Sequence, residues 1–373
     1  MRLAGRRRGS APRVLFAVSG TGGHVYPGIA VAEELVARRP DVEVLFAVAA
    51  GKPGSEWIRG AGFETRGIPV RGFARRPGLS WLTFPFRLGA GVFAAVDLLA
   101  TWRPSLVVGT GGYVVGPFLL GSALLGLPLV LLEQNAIPGV TTRLGSIFAR
   151  EVHLAVPESR GKLWRKSVAR TSGNPVRRAI EQGDGDAFRR ALAIPPDAHL
   201  IVVIGGSQGA KALTEAAIDA ARRIDRGDVR FVVQTGTRGI DEARARAVGA
   251  PPSLTLAPYL DDMGGAYAAA DLVVSRSGAM TLAELAASGV PSVLVPYPFA
   301  AEDHQTKNAQ RFAAQGSALV IPQHELTGER LAACIEDLLA DPDRLARMGR
   351  GAGSSEESGA RQRIAEACER FLG

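Results

Sequence analysis

The sequence repeats one local pattern, in which a short apolar strand is followed by a glycine-rich loop and a helix. The loops lie at 19–24, 109–116 and 205–210, and a turn of small residues lies at 275–279. Parallel sheets are built from such units, because each crossover helix returns the chain to the same edge of the sheet. A stretch with Gly and Pro at 172–175 separates two such patterns. The sequence therefore predicts an α/β fold class with two Rossmann-like, doubly wound domains that face a central cleft.

The domain boundaries follow from the same pattern. We expect a basic disordered arm at 1–12, an N-terminal domain at 13–172 and a C-terminal domain at 173–350. A last helix within 351–373 could pack back on the N-terminal domain. With 373 residues and 46% hydrophobic side chains, the chain is long enough for two domains with separate cores.

The most apolar stretch of the chain is not predicted to cross a membrane. Residues 106–132 carry no charged side chain over 27 positions, which is long enough to span a bilayer. Gly or Pro at positions 109, 111, 112, 116, 117, 126 and 128 nevertheless divides the stretch into strand, loop, helix and strand, and buried parallel strands are expected to be apolar throughout. The apolar run after the basic N-terminus is too short for a signal peptide, so a cytoplasmic location is expected.

The charge is unevenly distributed along the chain. Residues 1–172 contain 22 Lys and Arg against 10 Asp and Glu, a net charge of +12, whereas residues 173–373 contain 22 against 26, a net charge of −4. This difference predicts an anionic partner for the first half, either lipid headgroups, a phosphorylated acceptor or nucleic acid. A solvated arm with scattered surface arginines is the alternative.

An aromatic and basic segment favours the lipid among these partners. In the region 71–88, Trp81, Phe84 and Phe86 lie next to basic residues that include Arg75 and Arg76. Aromatic rings with basic neighbours suit the headgroup boundary of an anionic bilayer. A helix whose apolar side belongs to the core is the competing interpretation. No recognisable nucleic-acid module is present.

The turn at 275–279 predicts a nucleotide site. Free N–H groups and the helix dipole at the start of a helix form a seat for a diphosphate. Glu284 lies one turn further along the same helix, where its carboxylate could accept hydrogen bonds from vicinal hydroxyls of a ribose. An ordinary crossover with Glu284 on a solvated face is the alternative. The first glycine loop is neither a Walker A loop nor GxGxxG, and the second strand lacks a following acidic residue, which argues against a dehydrogenase.

Several ordered motifs together identify a family. GTGGHVYPG, GTGGYVVGP, LEQNAIPG, GNPVR, GGSQGA, SRSGAMTLAEL and DHQTKNA follow one another from about Arg13 onward. The chain resembles the MurG family of peptidoglycan glycosyltransferases, within glycosyltransferase family 28. This resemblance implies a GT-B fold and inverting transfer of N-acetylglucosamine (GlcNAc) from UDP-GlcNAc to the C4 hydroxyl of undecaprenyl-diphosphate-linked muramyl pentapeptide (lipid I), giving lipid II. The alternative activity is that of a related GT-B enzyme, UDP-GlcNAc 2-epimerase.

The resemblance also implies roles for individual residues. It places uracil at the backbone of Leu260, ribose at Glu284, the diphosphate at Ser207 and the helix start, and the GlcNAc hydroxyls at Gln305 and Asn308. The full implied donor site consists of Thr21, Gly22, Gly23, Asn135, Arg177, Ser207, Leu260, Ala279, Met280, Thr281, Glu284, Gln305 and Asn308. His304 and Met280 depart from the common family residues, glutamine and leucine, which affects sugar selectivity and not the reaction.

The remaining roles concern the acceptor and the reaction. His24 is the candidate base, because an imidazole exchanges protons near neutral pH; hydrogen bonding to the loop or the acceptor is its alternative role. The acceptor and membrane residues are Gly111, Gly112, Tyr113, Arg75, Arg76, Trp81, Phe84 and Phe86. No metal or other cofactor is expected, because Asp261 and Asp262 are adjacent and suit a helix cap. The expected partners are UDP-GlcNAc, lipid I, an anionic membrane surface and other cell-wall synthesis proteins, and the expected location is peripheral, on the cytoplasmic face of the cell membrane.

Overall fold

The computed structural model describes residues 11–51, 54–70, 84–206, 209–224, 226–300, 303–353 and 359–373, without the side chains of residues 84, 85 and 87. The chain divides into two compact units, one of residues 1–177 with 359–373 and one of residues 178–358. Each unit contains one fully parallel sheet. The prediction of two Rossmann-like α/β domains is confirmed.

The first unit alternates strands and helices. Its strands are β1 (Arg13–Val18), β2 (Glu43–Ala49), β3 (Glu64–Ile68), β4 (Leu106–Gly109), β5 (Leu129–Glu133), β6 (Glu151–Leu154) and β7 (Ala169–Thr171). Its helices are α1 (Gly22–Arg38), α2 (Gly54–Gly60), α3 (Phe84–Trp102), α4 (Val115–Leu125) and α5 (Val140–Gly145), and 3-10 turns lie at Pro157–Lys162 and Lys166–Val168.

The second unit repeats this alternation. Its strands are β8 (His199–Ile204), β9 (Val229–Gln234), β10 (Leu254–Ala257), β11 (Leu272–Ser275), β12 (Ser292–Leu294) and β13 (Ala318–Val320). Its helices are α6 (Arg178–Glu181), α7 (Gly185–Ala191), α8 (Lys211–Arg223), α9 (Ile240–Arg246), α10 (Met263–Ala269), α11 (Ala279–Ser288), α12 (His304–Ala314), α13 (Gly328–Leu339) and α14 (Pro342–Gly353), with a 3-10 turn at Gln323–Glu325.

The strand order creates one switch point in each sheet. The first sheet runs β3-β2-β1-β4-β5-β6-β7 and the second runs β10-β9-β8-β11-β12-β13. The order therefore reverses between β1 and β4 and again between β8 and β11, where Ala17 pairs with Gly109 and Ile204 with Ser275. In open α/β sheets the crevice beyond the carboxyl ends of the strands at such a point binds ligands. All four glycine or small-residue loops of the sequence follow these four strands.

Alternation along β1 supplies the core on both faces of the first sheet. Leu15 and Ala17 belong to a buried cluster that includes residues of α3 and α4, whereas Val14 and Phe16 belong to a cluster that includes residues of α1. Burial of both faces explains why β1 is apolar at every position from Val14 to Val18. Within the described residues, no helix is long and apolar enough to cross a membrane.

The last helix, α15 (Ala360–Glu369), belongs to the first unit although it follows the whole of the second in sequence. Ile364, Cys368 and Leu372 are buried in the same cluster as the apolar face of α1. Burial raises the pKa of the Cys368 thiol to about 12, so this thiol is not a nucleophile at neutral pH. Cys334 is half-buried, and both cysteines are free.

Candidate active site

Two glycine loops meet at the switch point of the first sheet. Ser19 follows β1, is buried, and donates a hydrogen bond from Oγ to the carbonyl oxygen of Gly111 at 3.3 Å. Gly111 and Gly112 have φ of +94° and +76°, and a Cβ on Gly112 would lie 2.1 Å from Ser19 Oγ. Both the backbone conformation and the space therefore require glycine at 112. The half-buried Tyr113 continues this loop and packs against the core cluster under α4.

His24 lies between these two loops, in the first turn of α1, whose N-cap residue is Thr21 and whose first residues are Gly22 and Gly23. Its Nδ1 lies 2.9 Å from the carbonyl oxygen of Thr110 and 3.3 Å from Oε1 of Gln134. A carbonyl oxygen can only accept a hydrogen bond, so Nδ1 carries the hydrogen. In the neutral ring the lone pair is then on Nε2, the nitrogen that can take a proton.

The polar residues after β5 are held in place by one another. The buried Glu133 accepts hydrogen bonds from the backbone N–H of Asn135 at 3.1 Å, from Nδ2 of Asn135 at 3.3 Å, and from the backbone N–H of Gly139 at 2.9 Å. Gln134 is also buried, and its carbonyl oxygen accepts from Nδ2 of Asn174 at 3.2 Å. These bonds fix Asn135 and Gln134 beside the loop that carries His24.

Arg177 also belongs to this set. Its guanidinium carbon lies 3.9 Å from the centroid of the Tyr26 ring, and Tyr26 stacks on Trp57 with a centroid distance of 5.5 Å. A Cβ on Gly22 would lie 3.1 Å from the Tyr26 ring, so this stack covers the start of α1. A cation over an aromatic face is attracted by the ring quadrupole. The first unit thus places His24 and Gln134 at the two loops, and Arg177 over Tyr26 on the helix that carries His24.

The second unit presents a turn followed by the start of α11. Gly278 is the N-cap residue, and as a glycine it has no side chain with which to cap the helix. Ala279 and Thr281 in the first turn are half-buried, and the side chain of Met280 is buried. The start of α11 therefore offers backbone N–H groups and the positive end of the helix dipole, as predicted.

Glu284 follows on α11 and is 9% exposed. Its Oε2 accepts a hydrogen bond from the hydroxyl of Tyr267 at 3.1 Å. Glu284 therefore does not lie on a solvated helix face, which was the alternative interpretation of the sequence. Leu260, three residues beyond β10, is buried at 6% exposure.

The sugar-reading candidates are connected to the turn before α11. The buried Ser277 donates from Oγ to the carbonyl oxygen of Gln305 at 2.8 Å, and its own carbonyl accepts from Nδ2 of Asn308 at 3.3 Å. Oε1 of Gln305 accepts from the backbone N–H of Tyr297 at 3.0 Å. Oε1 of the Gln305 side chain and Nδ2 of the Asn308 side chain are therefore engaged by the protein.

Arg276, in the turn before α11, connects this turn to two neighbouring segments of the second unit. Its Nη1 donates to the carbonyl oxygens of Val295 and Pro296, both at 3.1 Å, and its Nη2 donates to Oε1 of Gln323 at 2.6 Å. Burial lowers the pKa of this guanidinium from its ordinary value. Arg276 therefore connects the end of β11 with the residues that follow β12 and with the 3-10 turn after β13.

Some predicted residues lie outside this description. Arg75, Arg76, Trp81 and Ser207 are not among the described residues, and Phe84 is described only in its backbone. The described neighbours of Ser207 include Gly209, whose φ is +75° and whose added Cβ would lie 2.0 Å from the carbonyl oxygen of Thr235. Phe86 is 82% exposed on α3.

No group of three or more His, Cys, Asp or Glu that could hold a metal is found among the described residues. Asp262 is the N-cap residue of α10, and its Oδ1 accepts from the N–H of Gly265 at 2.8 Å, so the predicted helix cap is confirmed. The expectation that no metal is required stays a prediction.

Sequence reasoning missed the residues that support the site. Ser19, Thr110, Ser277 and Tyr267 each contact a predicted site residue, but no local pattern singles them out. Gln134, which contacts His24, did carry a signal, because it follows β5 directly at the carboxyl edge of the sheet. The hydroxyl of Tyr267, in a small-residue helix, gave none.

Comparisons with known proteins cover both units. The model of the glycosyltransferase family 28 N-terminal domain matches residues 14–154, and the model of the C-terminal domain of the same family matches residues 200–364. The UDP-N-acetylglucosamine–N-acetylmuramyl-(pentapeptide) pyrophosphoryl-undecaprenol N-acetylglucosamine transferase of Salinibacter ruber is 40% identical over 360 residues, 95% of each protein.

Two solved structures are similar over nearly the whole chain. MurG of Acinetobacter baumannii has a TM-score of 0.73 at 29% identity, covering 96% of this chain and 99% of that one. UDP-GlcNAc 2-epimerase of Neisseria meningitidis, bound to UDP-GlcNAc, has a TM-score of 0.67 at 13% identity, covering 96% and 100%. At this identity the second similarity shows the fold alone.

Proposed function

The chain belongs to glycosyltransferase family 28 and is a glycosyltransferase of the GT-B fold, and on this premise we propose that it converts lipid I to lipid II. The donor is UDP-GlcNAc and the acceptor is the C4 hydroxyl of the muramyl sugar in undecaprenyl-diphosphate-linked muramyl pentapeptide. The observation that carries the proposal is the 40% identity, over 95% of both proteins, to a transferase named for this donor and acceptor.

The reaction is a single in-line displacement. The acceptor oxygen forms a bond to the anomeric carbon while the bond from that carbon to the diphosphate oxygen breaks, so the anomeric configuration inverts and UDP leaves. His24 takes the hydroxyl proton on Nε2, which the contact between Nδ1 and Thr110 leaves with a lone pair. Gln134, the second acceptor at Nδ1, helps to hold this tautomer.

The second unit binds most of the donor. The start of α11, residues Ala279, Met280 and Thr281, receives the diphosphate, because N–H groups and the helix dipole stabilise the charge that the departing UDP gains. Ser207 contributes to the same group. Glu284 accepts from the ribose hydroxyls, the backbone of Leu260 reads uracil, and Gln305 and Asn308 read the GlcNAc hydroxyls. Thr21, Gly22, Gly23, Asn135 and Arg177 complete donor binding from the first unit.

The first unit also binds the acceptor. It binds an anionic membrane surface as well, which is the cytoplasmic face of the cell membrane. Phe86 and Phe93 are 82% and 76% exposed on α3, and because they are seven residues apart they lie on one side of the helix. Leu124 on α4 and Val140 on α5 are 67% and 73% exposed. Together with the excess of basic residues in this half of the chain, these side chains suit a headgroup boundary. Gly111, Gly112 and Tyr113 border the acceptor.

The experiment that tests the function is transfer of radiolabelled GlcNAc from UDP-GlcNAc to a lipid I analogue in the presence of EDTA. The release of UDP is followed with and without the acceptor. Transfer that depends on the acceptor and persists in EDTA is the expected result, because no metal is predicted to take part.

The alternative activity is 2-epimerisation of UDP-GlcNAc, which the shared fold would allow. In that case the same assay would give no labelled lipid, and UDP-GlcNAc would be converted to another UDP-sugar or to UDP and a free hexosamine without acceptor. That result would exclude the transferase proposal and the acceptor site with it.

A further inference from the structure

The carboxylate of Glu284 is held by a buried hydroxyl from a neighbouring helix. Tyr267 lies on α10, is 2% exposed, and donates its hydroxyl hydrogen to Oε2 of Glu284 at 3.1 Å. The beginning of α10 is itself fixed by the Asp262 cap. The phenol oxygen therefore has a defined position relative to α11, on which Glu284 lies.

Recognition of the vicinal ribose hydroxyls depends on the orientation of the Glu284 carboxylate, which this hydrogen bond restricts. A pair of vicinal hydroxyls is recognised when the carboxylate oxygens point at both hydroxyl hydrogens at once. A glutamate side chain has several rotamers, and ligand binding must remove this freedom unless another contact has already done so. The bond to Tyr267 uses one lone pair on Oε2 and restricts rotation of the nearly buried carboxylate.

We propose that Tyr267 is a positioning residue for nucleotide recognition, which holds the Glu284 carboxylate in the orientation that accepts the two ribose hydroxyls of the donor. Tyr267 acts only through Glu284 and does not itself contact the nucleotide. The inference rests on the proposed function, because it takes the ribose of a uridine diphosphate as the group at Glu284.

The test compares UDP with 2′,3′-dideoxy-UDP, which lacks both ribose hydroxyls, by calorimetry on the full chain. We expect the wild-type chain to bind UDP more tightly than the dideoxy compound. Tyr267→Phe should weaken UDP binding about 3- to 10-fold, which corresponds to the net free energy of a typical hydrogen bond, and leave binding of the dideoxy compound unchanged. General damage to the unit would weaken both ligands equally, and that result would overturn the inference.

A double variant shows whether Tyr267 acts through Glu284. Glu284→Ala should lose the preference for UDP, and adding Tyr267→Phe to it should cause no further loss, since the carboxylate is already absent. Additive losses would overturn the inference. In the transfer assay, Tyr267→Phe should raise KM for UDP-GlcNAc and leave kcat unchanged, because the ribose contact is the same before and during the reaction.

Two outcomes separate this inference from the proposed function. If the wild-type chain binds UDP but does not distinguish it from the dideoxy compound, Glu284 does not read ribose, and the inference fails while the transferase activity can stand. If the wild-type chain binds no UDP at all, the donor assignment fails and the inference fails with it. Tyr267→Phe keeps the ring, and thermal melting of each variant checks that its second unit is folded.

Discussion

At the scale of single residues, the tautomer of the candidate base His24 is set by the contacts of Nδ1, the ring nitrogen that does not take the proton. His24 Nδ1 is 2.9 Å from the backbone carbonyl oxygen of Thr110 and 3.3 Å from the side-chain oxygen Oε1 of Gln134. Both contacts favour the tautomer with its lone pair on Nε2. The role of His24 stays a proposal, since it could instead orient the loop or the acceptor through the same contacts.

Replacement of His24 separates these roles. His24→Ala should lower kcat by about 10²- to 10⁴-fold if the imidazole takes the hydroxyl proton. The affinity for UDP, measured by calorimetry, should change little, because the diphosphate is held at the start of α11. A near-normal kcat would exclude His24 as the base, and a large loss of UDP affinity would point to a binding role.

At the scale of elements, the loop between β4 and α4 depends on one glycine. Gly112 has a positive φ and no room for a Cβ beside Ser19, whereas Gly116 in α4 has no positive φ and no atom within 4 Å of an added Cβ. The two glycines are four residues apart and form a matched pair, so they allow the loop conformation to be tested separately from helix propensity.

Gly112→Ala should destabilise the first unit by about 1–3 kcal/mol, because the residue must leave its φ or displace Ser19. Gly116→Ala should be neutral or slightly stabilising, since alanine is the better helix former. Urea unfolding followed by tryptophan fluorescence measures both, because Trp57, Trp81, Trp102 and Trp164 all lie in the first 177 residues. Equal midpoints for the two variants would contradict the argument.

The exposed side of α3 gives a second prediction at this scale. Replacing both Phe86 and Phe93 with Ser should reduce co-sedimentation with anionic vesicles, because two exposed rings are lost from the basic first unit. The matched control is Phe299→Ser, which removes a ring that is 78% exposed from the second unit. Unchanged binding of the double variant would place the membrane surface elsewhere, and an equal loss in the control would show that any exposed ring suffices.

At the scale of the whole molecule, the end of the chain stabilises its beginning. Arg361 on α15 donates from Nε to Oε2 of Glu34 at 3.1 Å and from Nη1 to the carbonyl oxygen of Val176 at 2.7 Å. The side chains of Arg361 and Glu34 are only 5% and 7% exposed. Nearby, Arg363 donates to the carbonyl oxygen of Ser172 at 2.8 Å. Helix α15 thereby connects α1 with the segment 172–176, which precedes the second unit in sequence.

Arg361→Met should therefore destabilise the first unit by about 3–5 kcal/mol, because it removes the guanidinium that pairs with the buried Glu34 carboxylate. The control is Arg38→Met, which removes ion pairs to Glu366 and Glu369 on the same two helices. These side chains are 24% to 57% exposed, so the effect should be much smaller. Tryptophan fluorescence during urea unfolding compares the two. Equal destabilisation would show that the buried Arg361–Glu34 pair stabilises the unit no more than the exposed ion pairs of Arg38.

Much of the architecture was accessible from the sequence. The four strands that precede the glycine loops and the small-residue turn, the loops themselves, the start of α11 and the cap at Asp262 were predicted because each depends on a few consecutive residues. The family was accessible because its motifs occur in order. Local patterns did not reveal that Gln134 contacts His24, that Tyr267 contacts Glu284, or that Ser277 connects the turn to Gln305, since these contacts join elements that are separate in the sequence.

The sequence by itself determined the elements and the positions that need glycine, because hydrophobic periodicity and backbone strain act over a few residues. Tertiary structure alone decided which loops meet. His24 and Thr110 are 86 residues apart and come together because β1 and β4 are neighbours at the switch point. Arg361 and Glu34 are 327 residues apart and meet because α15 completes the apolar cluster over α1. Strand order and burial of shared surface depend on the whole chain, so no local pattern can encode them.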